Sequence, residues 1–407
     1  MKKLLSLALA SAMVLSLAAC GGNNSGGGSN GGGSAPNGGG SNAASGDKVV
    51  KIGVFEPQTG DNGPGGKQEI LGMQYANSVQ PTVEINGETY QVQLEIVDNR
   101  TTPENGPSAA AEVVNRGVSV ILGSYGSGVS MAGGAVFQEA GVPAIGVTCT
   151  NPQVTADCDA YFRICFTDPF QGPALASYAK ELGVDTAYTL AMLGSDYDQG
   201  LVHYFKEAFE NLGGTVVSED FPEGSANFVS YINNAKSAGA GVIFAPVSTN
   251  YAQLIIEAAS AQGFEGTLLG SDTWDNNMVA ESTKGKNAEV VVTTFYQEGG
   301  NAEFDASIKE WINANPDAKT NNGGNDVISA VTVMGYDAYF TALEAIKAAG
   351  STDPKAVMEA LPGVSYTGVS GLIEFDEVGD AKRDQAYIKA ANTETGLWDF
   401  VKIQGVG

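Results

Sequence analysis

"VSVILGSYGSGVSMAGGAVFQEAGVPAIGV", residues 118 to 147, reads as one complete structural unit. An apolar run (118–123) ends in a burst of Gly and Ser, and a small-residue segment (130–141) follows with helical character. A second apolar run (142–147) then begins. Strand, glycine turn, helix and strand make a βαβ unit, whose two strands pair in parallel in a sheet covered on both faces. The turn at 123–130 delivers the chain into a helix N-terminus, where backbone N–H groups point at an anion. Three anions are open at this stage: a nucleotide phosphate, a reaction intermediate, or the carboxylate of a carried molecule.

The same alternation extends in both directions. Upstream, "VVKIGVFE" (49–56) and "YQVQLEIVD" (90–98) are β-branched runs. "KQEILGMQYANSV" (67–79) lies between them and "PSAAAEVVNRG" (107–117) after them, both with helical periodicity. After "YFRICFTDPFQG" (161–172) a second series starts. Helical "ALASYAKELG" and "LVHYFKEAFENLG" alternate with "TAYTLAML" and "GTVVSEDF", and the pattern runs on to "AEVVVTTFY" (288–296). The prediction is an α/β protein of two doubly wound parallel-sheet lobes. A long amphipathic segment (327–350) and three β-patterned pieces close the chain.

The N-terminus is not part of this pattern. "MKK" and an apolar stretch at 4–19 form a secretory signal, too short for an ordinary membrane span. It ends in "LAAC", which resembles a bacterial lipobox and marks Cys20 for lipid attachment; the alternative is an ordinary signal with an incidental cysteine. Residues 21–48 are a Gly/Ser/Asn-rich tether with almost nothing to bury. Residues 1–20, the tether and the remaining domain together describe a protein displayed on the extracellular face of the cell membrane. The net charge of −25 argues against nucleic acid or anionic lipid as a partner surface. Cys149, Cys158 and Cys165 allow one internal disulfide at most, a 149–158 bridge being possible. Their spacing, without a histidine cluster, predicts no metal site.

Enzyme readings find no support. Gly66-Lys67 is followed by Gln68, with Asp61 where a P-loop needs its first glycine. Gly126 and Gly128 are followed by Met131 rather than the third glycine of a dinucleotide fingerprint. The GxSxG around Ser29 lies in the low-complexity tether, and the only histidine, His203, sits mid-helix. No cofactor is predicted.

The order and spacing of "KIGVFEPQTG", "ILGSYGSGVS", "IGVTCTNPQVT", "GSDYDQG", "LLGSDTWDN" and "MGYDAYFTALEAIKAAG" resemble the leucine/isoleucine/valine-binding proteins, the substrate-binding subunits of ABC transporters for amino acids. The resemblance implies a periplasmic-binding-protein type I fold, two lobes joined by a three-crossover hinge. It places lobe 1 at 49–167 with 297–362 and lobe 2 at 168–296 with 363–407. It implies capture of an amino acid, branched-chain or other and mostly apolar, for an ABC permease and its ATPase, by a monomer. It carries the ligand carboxylate to Ser127, beside Tyr125 and Gly126, and to Thr150, with Thr148 contributing backbone. It carries closure over the ligand to Tyr197 and the ammonium acceptor to Asp272. Trp274 either walls the pocket or plugs the lobe, and Glu56 stands at a cleft-facing turn. Two departures stand out: the first-strand loop lacks the family's covering aromatic, and Val247 and Ser248 replace a cleft tyrosine. A carrier or sensor of another small polar solute, such as an amide or urea, is the alternative.

Overall fold

The structure, a computed structural model, describes residues 48–405. The signal, Cys20 and the tether as far as residue 47 lie outside the described residues. Six strands form the first sheet: β1 (Val49–Glu56), β2 (Thr82–Ile85), β3 (Glu88–Asp98), β4 (Val120–Leu122), β5 (Ala144–Gly146) and β6 (Tyr161–Arg163). Their order is β2-β3-β1-β4-β5-β6, parallel except for the hairpin strand β2, which pairs antiparallel with β3. That hairpin turns at Asn86-Gly87, both at positive φ, and falls outside the alternation read from sequence. Val50, Ile52 and Val54 point to one face of β1, and Phe55 joins the apolar cluster on the other. Burial on both faces is what the continuous apolar runs demanded.

The second sheet takes β7 (Thr186–Met192), β8 (Thr215–Phe221), β9 (Val242–Phe244), β10 (Thr267–Gly270) and β11 (Glu289–Thr294). A hairpin, β12 (Ser365–Gly368) and β13 (Gly371–Glu374), stands apart. The chain ends in β14 (Ala386–Asn392) and β15 (Leu397–Gln404). The order β15-β14-β11-β10-β9-β7-β8 is a parallel sheet extended by two antiparallel strands. This is the type I periplasmic-binding fold.

The chain passes between the lobes after β6, after β11, and again between Phe375 and β14. The helix Asp168–Glu181 packs into the second lobe, and the helices Ala302–Ala314 and Ala330–Ala349 return to the first. The β12–β13 hairpin sits with the first lobe. Ile373 joins the first core and Phe375 packs edge-on against Phe162, ring centroids 5.3 Å apart. Chain order places 363–407 with the second lobe, but the hairpin part of that span buries its apolar residues against the helix Ala330–Ala349 of the first.

Buried ion pairs stitch the crossovers. Arg163 on β6 donates to both oxygens of Asp380 (2.6 and 2.8 Å), and Arg383 donates to the Ile164 carbonyl (2.9 Å). Lys389 on β14 pairs with Asp275 at 3.0 Å, both side chains almost fully buried. Cys149, Cys158 and Cys165 are free thiols, so the 149–158 bridge is not formed. Among the described residues no helix is long and apolar enough to cross a membrane.

Candidate functional site

In each sheet the strand order reverses at one place, between β1 and β4 in the first and between β7 and β9 in the second. A crevice opens beyond the carboxyl ends of strands at such switch points. Glu56 ends β1, and the Ser124–Ser127 turn follows β4. Across the cleft, Ser195–Tyr197 follow β7, Ser248 follows β9, and Asp272 follows β10. A cavity of about 420 Å³ lies between the lobes, within the range of small-ligand sites. Its wall includes Asn62, Tyr125 and Gly126 from the first lobe and Ser195, Tyr197 and Ser248 from the second.

The turn after β4 is built for close approach. Gly123 has φ +121°, and a Cβ there would come within 2.3 Å of the Phe55 carbonyl. Gly126 caps the helix Ser127–Ala140, and no side chain satisfies that helix's first turn, so its amide groups remain open where Gly128 and Val129 line the cavity. Ser127, buried, accepts the Asn151 N–H at 3.2 Å. Tyr125 is held at both ends: its N–H donates to Glu56 (2.7 Å) and its hydroxyl reaches the Thr273 carbonyl of the other lobe (3.2 Å). Gly65 makes room for the ring, since a Cβ there would lie 2.3 Å from it. A further interlobe contact runs from Asn151 to the Asp196 carbonyl (3.0 Å).

Beneath the cavity lies a buried polar cluster. Thr150 comes from the turn after β5, Asp168 and Gln171 from the first turn of the helix Asp168–Glu181, and Asp272 from the turn after β10. Tyr197 and Gln171 donate to the same Asp272 oxygen at 2.7 and 2.8 Å. Ser195, accepting the Asp198 N–H at 3.2 Å, caps the helix that carries Tyr197. Burial pushes Asp272 up to about 6 despite those donors, and pushes Asp168 up to about 7. The Thr150 hydroxyl donates toward the buried Asp168 carboxyl, while Gln171 Oε1 is buried without a hydrogen-bond partner. Native interiors rarely leave such a group unmatched, so its orphaning marks a place for a polar occupant.

A second acidic pair adjoins the first lobe's side. Glu56 and Glu69 are fully buried and face one another, with Thr148 donating its hydroxyl to Glu69. Burial raises both, and the neighbouring Glu69 charge raises Glu56 further. Glu56 Oε1 and Glu69 Oε2 are buried without a hydrogen-bond partner among the described residues.

Of the residues singled out in the sequence, Tyr125, Gly126 and Tyr197 line the cavity, with Tyr197 bonded to Asp272, while Ser127, Thr148, Thr150 and Asp272 are buried and are not among its lining residues. Thr148 differs in that its side chain is committed to Glu69. Trp274 does not join the site: it is fully buried in the second core, its indole N–H bonded to the Val247 carbonyl (3.0 Å) and its ring against Gly270. Glu69, Asp168 and Gln171 escaped the sequence reading. For Glu69 a signal existed, since it shares a helical stripe with buried Met73 and Ala76.

Two doubly wound lobes that meet over a polar, buried cleft define a solute-binding protein of the two-lobed kind. The chain belongs to the periplasmic binding protein family, whose model, described as "Periplasmic binding protein", matches residues 49–392. The family is one of solute-binding proteins. Leu/Ile/Val-binding protein homolog 1 of Brucella melitensis is 30% identical over 344 residues, covering 84% of this chain and 89% of that protein. The crystal structure of a leucine-binding protein, LivK, from Thermotoga maritima is 30% identical with a TM-score of 0.77, covering 88% of this chain and 99% of that one. A Rhodopseudomonas palustris solute-binding protein in complex with benzoate is 20% identical, with a TM-score of 0.74 over 87% and 96% of the two chains; it shares the fold.

Proposed function

We propose that this protein is the amino-acid receptor of an ABC importer, held at the extracellular face of the membrane by a lipid on Cys20 and acting as a monomer. The reading takes lobe 1 as 49–167 with the segment from 297 through the β12–β13 hairpin, and lobe 2 as 168–296 with β14 and β15. Open lobes admit the ligand. Ser127, Thr150 and the amides of the helix N-terminus receive its α-carboxylate, for which neutral donors and the positive end of a helix are the matching partners. Closure brings Tyr197 and Asp272 onto the α-ammonium, a charge too costly to bury unpaired. The closed form is then what the permease engages, and its ATPase drives release inward. The relatives' names, leucine-, isoleucine- and valine-binding, support the same ligand class.

The observation that carries this reading is Asp272: fully buried, oriented by the neutral donors Tyr197 and Gln171, and in no salt bridge among the described residues. A thermal-shift screen of the purified protein against the common amino acids should find stabilisation that grows with concentration. Asp272→Ala should fold and lose at least a hundredfold in affinity, about 3 kcal/mol, by calorimetry. Unchanged affinity would remove Asp272 from the site.

A further inference from the structure

Asp272 heads a segment, 272–277, whose contacts are divided between the two lobes. Trp274 anchors it in the second core, and the Asp275 carboxyl is held by Lys389 of β14 at 3.0 Å. Its other contacts reach across to the first lobe. The Thr273 carbonyl accepts the Tyr125 hydroxyl (3.2 Å), and the Asp275 carbonyl accepts the Ser329 hydroxyl (3.0 Å). Asn277 donates its side-chain amide to the Val327 carbonyl (3.0 Å) and to Asn325 Oδ1 (3.1 Å). Ile328 and Ala330, beside those acceptors, belong to the first core, which makes 322–329 part of lobe 1.

The remaining member, Asn276, starts a chain of side-chain amides. Asn276 Nδ2 donates to Gln68 Oε1 at 2.8 Å, and Gln68 Nε2 donates to Asn322 Oδ1 at 3.1 Å. Backbone groups fix both ends. Asn276 Oδ1 accepts the Met278 N–H (2.9 Å) as the N-cap of the helix Asn277–Ser282. Asn322 Nδ2 donates to the Asn325 and Val327 carbonyls at 3.0 and 2.9 Å. With the ends set, the Gln68 amide has one orientation that satisfies both its oxygen and its nitrogen. Gln68, Asn276 and Asn322 are all buried, and none of them lines the cavity. Gln68 sits on the helix Gly63–Val79 of lobe 1, whereas Asn276 follows β10 in lobe 2.

We infer that the Asn276–Gln68–Asn322 amide chain is the clasp of the closed form, which makes Gln68 a positioning residue for capture although it lies away from the cavity wall. This rests on the reading above, in which closing lobes capture an amino acid at Asp272. The Gln68–Asn276 bond forms as the lobes meet, and water replaces it on each amide as they part. A ligand ammonium on Asp272 fixes the head of the segment 272–277, and the same segment carries Asn276 onto Gln68. One element thus makes both the ligand contact and the lobe contact, so each stabilises the other. Encounter takes place on open lobes, so the clasp acts on release and not on entry.

The test is stopped-flow and calorimetric binding of leucine to the purified full chain, unaltered and as Gln68→Met, which keeps the length of the side chain and removes its amide. If leucine gives no thermal shift, the common amino acid with the largest shift takes its place. Gln68→Met is expected to weaken binding about tenfold, through faster release at an unchanged association rate. The urea midpoint of the ligand-free variant is expected to match that of the unaltered chain, since open lobes leave the bond unmade. Asn276→Ser keeps a helix cap, loses the amide donor and should release ligand as fast as Gln68→Met. The double variant should then release no faster than either alone. Should Gln68→Met not fold, Asn276→Ser carries the comparison. Release as slow as from the unaltered chain, or a ligand-free midpoint that falls while affinity holds, overturns the clasp and leaves the amino-acid reading standing. An unaltered chain that binds none of the common amino acids overturns both.

Discussion

Two groups of buried carboxylates lie a short way apart and are treated in opposite ways. Behind the cleft, Asp275 and Asp380 each meet a cation, Lys389 at 3.0 Å and Arg163 at 2.6 Å, and Asp275 also accepts the Thr294 hydroxyl at 2.5 Å. Toward the cleft, Glu56, Glu69, Asp168 and Asp272 are fully buried, more so than the half-buried Asp380, yet none is in a salt bridge with a lysine or arginine among the described residues. The first group does architectural work: Arg163 locks β6 to the segment that crosses before β14, and Lys389 ties β14 to the turn after β10. The second group meets only neutral donors: Tyr197 and Gln171 at Asp272, Thr148 at Glu69 and the Tyr125 N–H at Glu56. A charge that is paired within the chain needs nothing else, whereas one left open is a site waiting for something from outside.

The largest expected effect attacks the paired group. Lys389→Met leaves Asp275 buried without its cation and should cost about 3–5 kcal/mol in chemical denaturation, the usual cost of breaking a buried pair from one side. A loss under about 1 kcal/mol would erase the distinction between the two groups.

The pH dependence of the ligand-free protein comes next. Glu69 and Asp168 are raised to about 7 and Asp272 to about 6 by burial. A carboxyl with a raised folded value binds its proton more tightly folded than unfolded. The folded state therefore loses stability as pH climbs from the unfolded value near 4 through the folded one, and the loss is complete above about 7. The apo protein should melt lower at pH 8 than at pH 5, by roughly 2 kcal/mol in sum at the least. Saturating ligand should flatten the slope, because it supplies the missing partners. A melting temperature that rises across the same range would mean that the cleft carboxylates are not held protonated by burial.

The smallest effect lies at the rim. Tyr125→Phe removes a single interlobe hydrogen bond, from the hydroxyl to the Thr273 carbonyl, while keeping the ring that rests over Gly65. It should weaken ligand binding by about 1 kcal/mol, through faster release, and leave the unfolding free energy within about 0.5 kcal/mol. A loss as large as that of Asp272→Ala would shift the centre of the site from the acidic cluster to this latch.

Much of this was legible in the residues. The alternating runs gave the two parallel sheets, because a strand buried on both faces has to be apolar throughout, and the small Gly/Ser turn after β4 announced a helix N-terminus facing a crevice. The end of β1 at Glu56 and the turns bearing Ser127, Thr150, Tyr197 and Asp272 lie beyond strand ends, where strand order alone places a ligand. The helix actually opens at Ser127, ahead of the span read at 130–141, because small residues next to the turn mask the periodicity. Trp274 could be read two ways, and packing against Gly270 decided for the core.

Residue types and their spacing by themselves determined the fold class, the position of the cleft and the walls of the α-group site, since those follow from local patterns and chain order. Only the tertiary structure decided which carboxylates have partners. Glu69 and Lys389 are both charges on otherwise apolar elements, and nothing local separates them. The distinction lies in whether a residue more than a hundred positions away, Asp275 for Lys389, arrives within hydrogen-bonding distance. For Glu69 the chain brings only another acid and a hydroxyl.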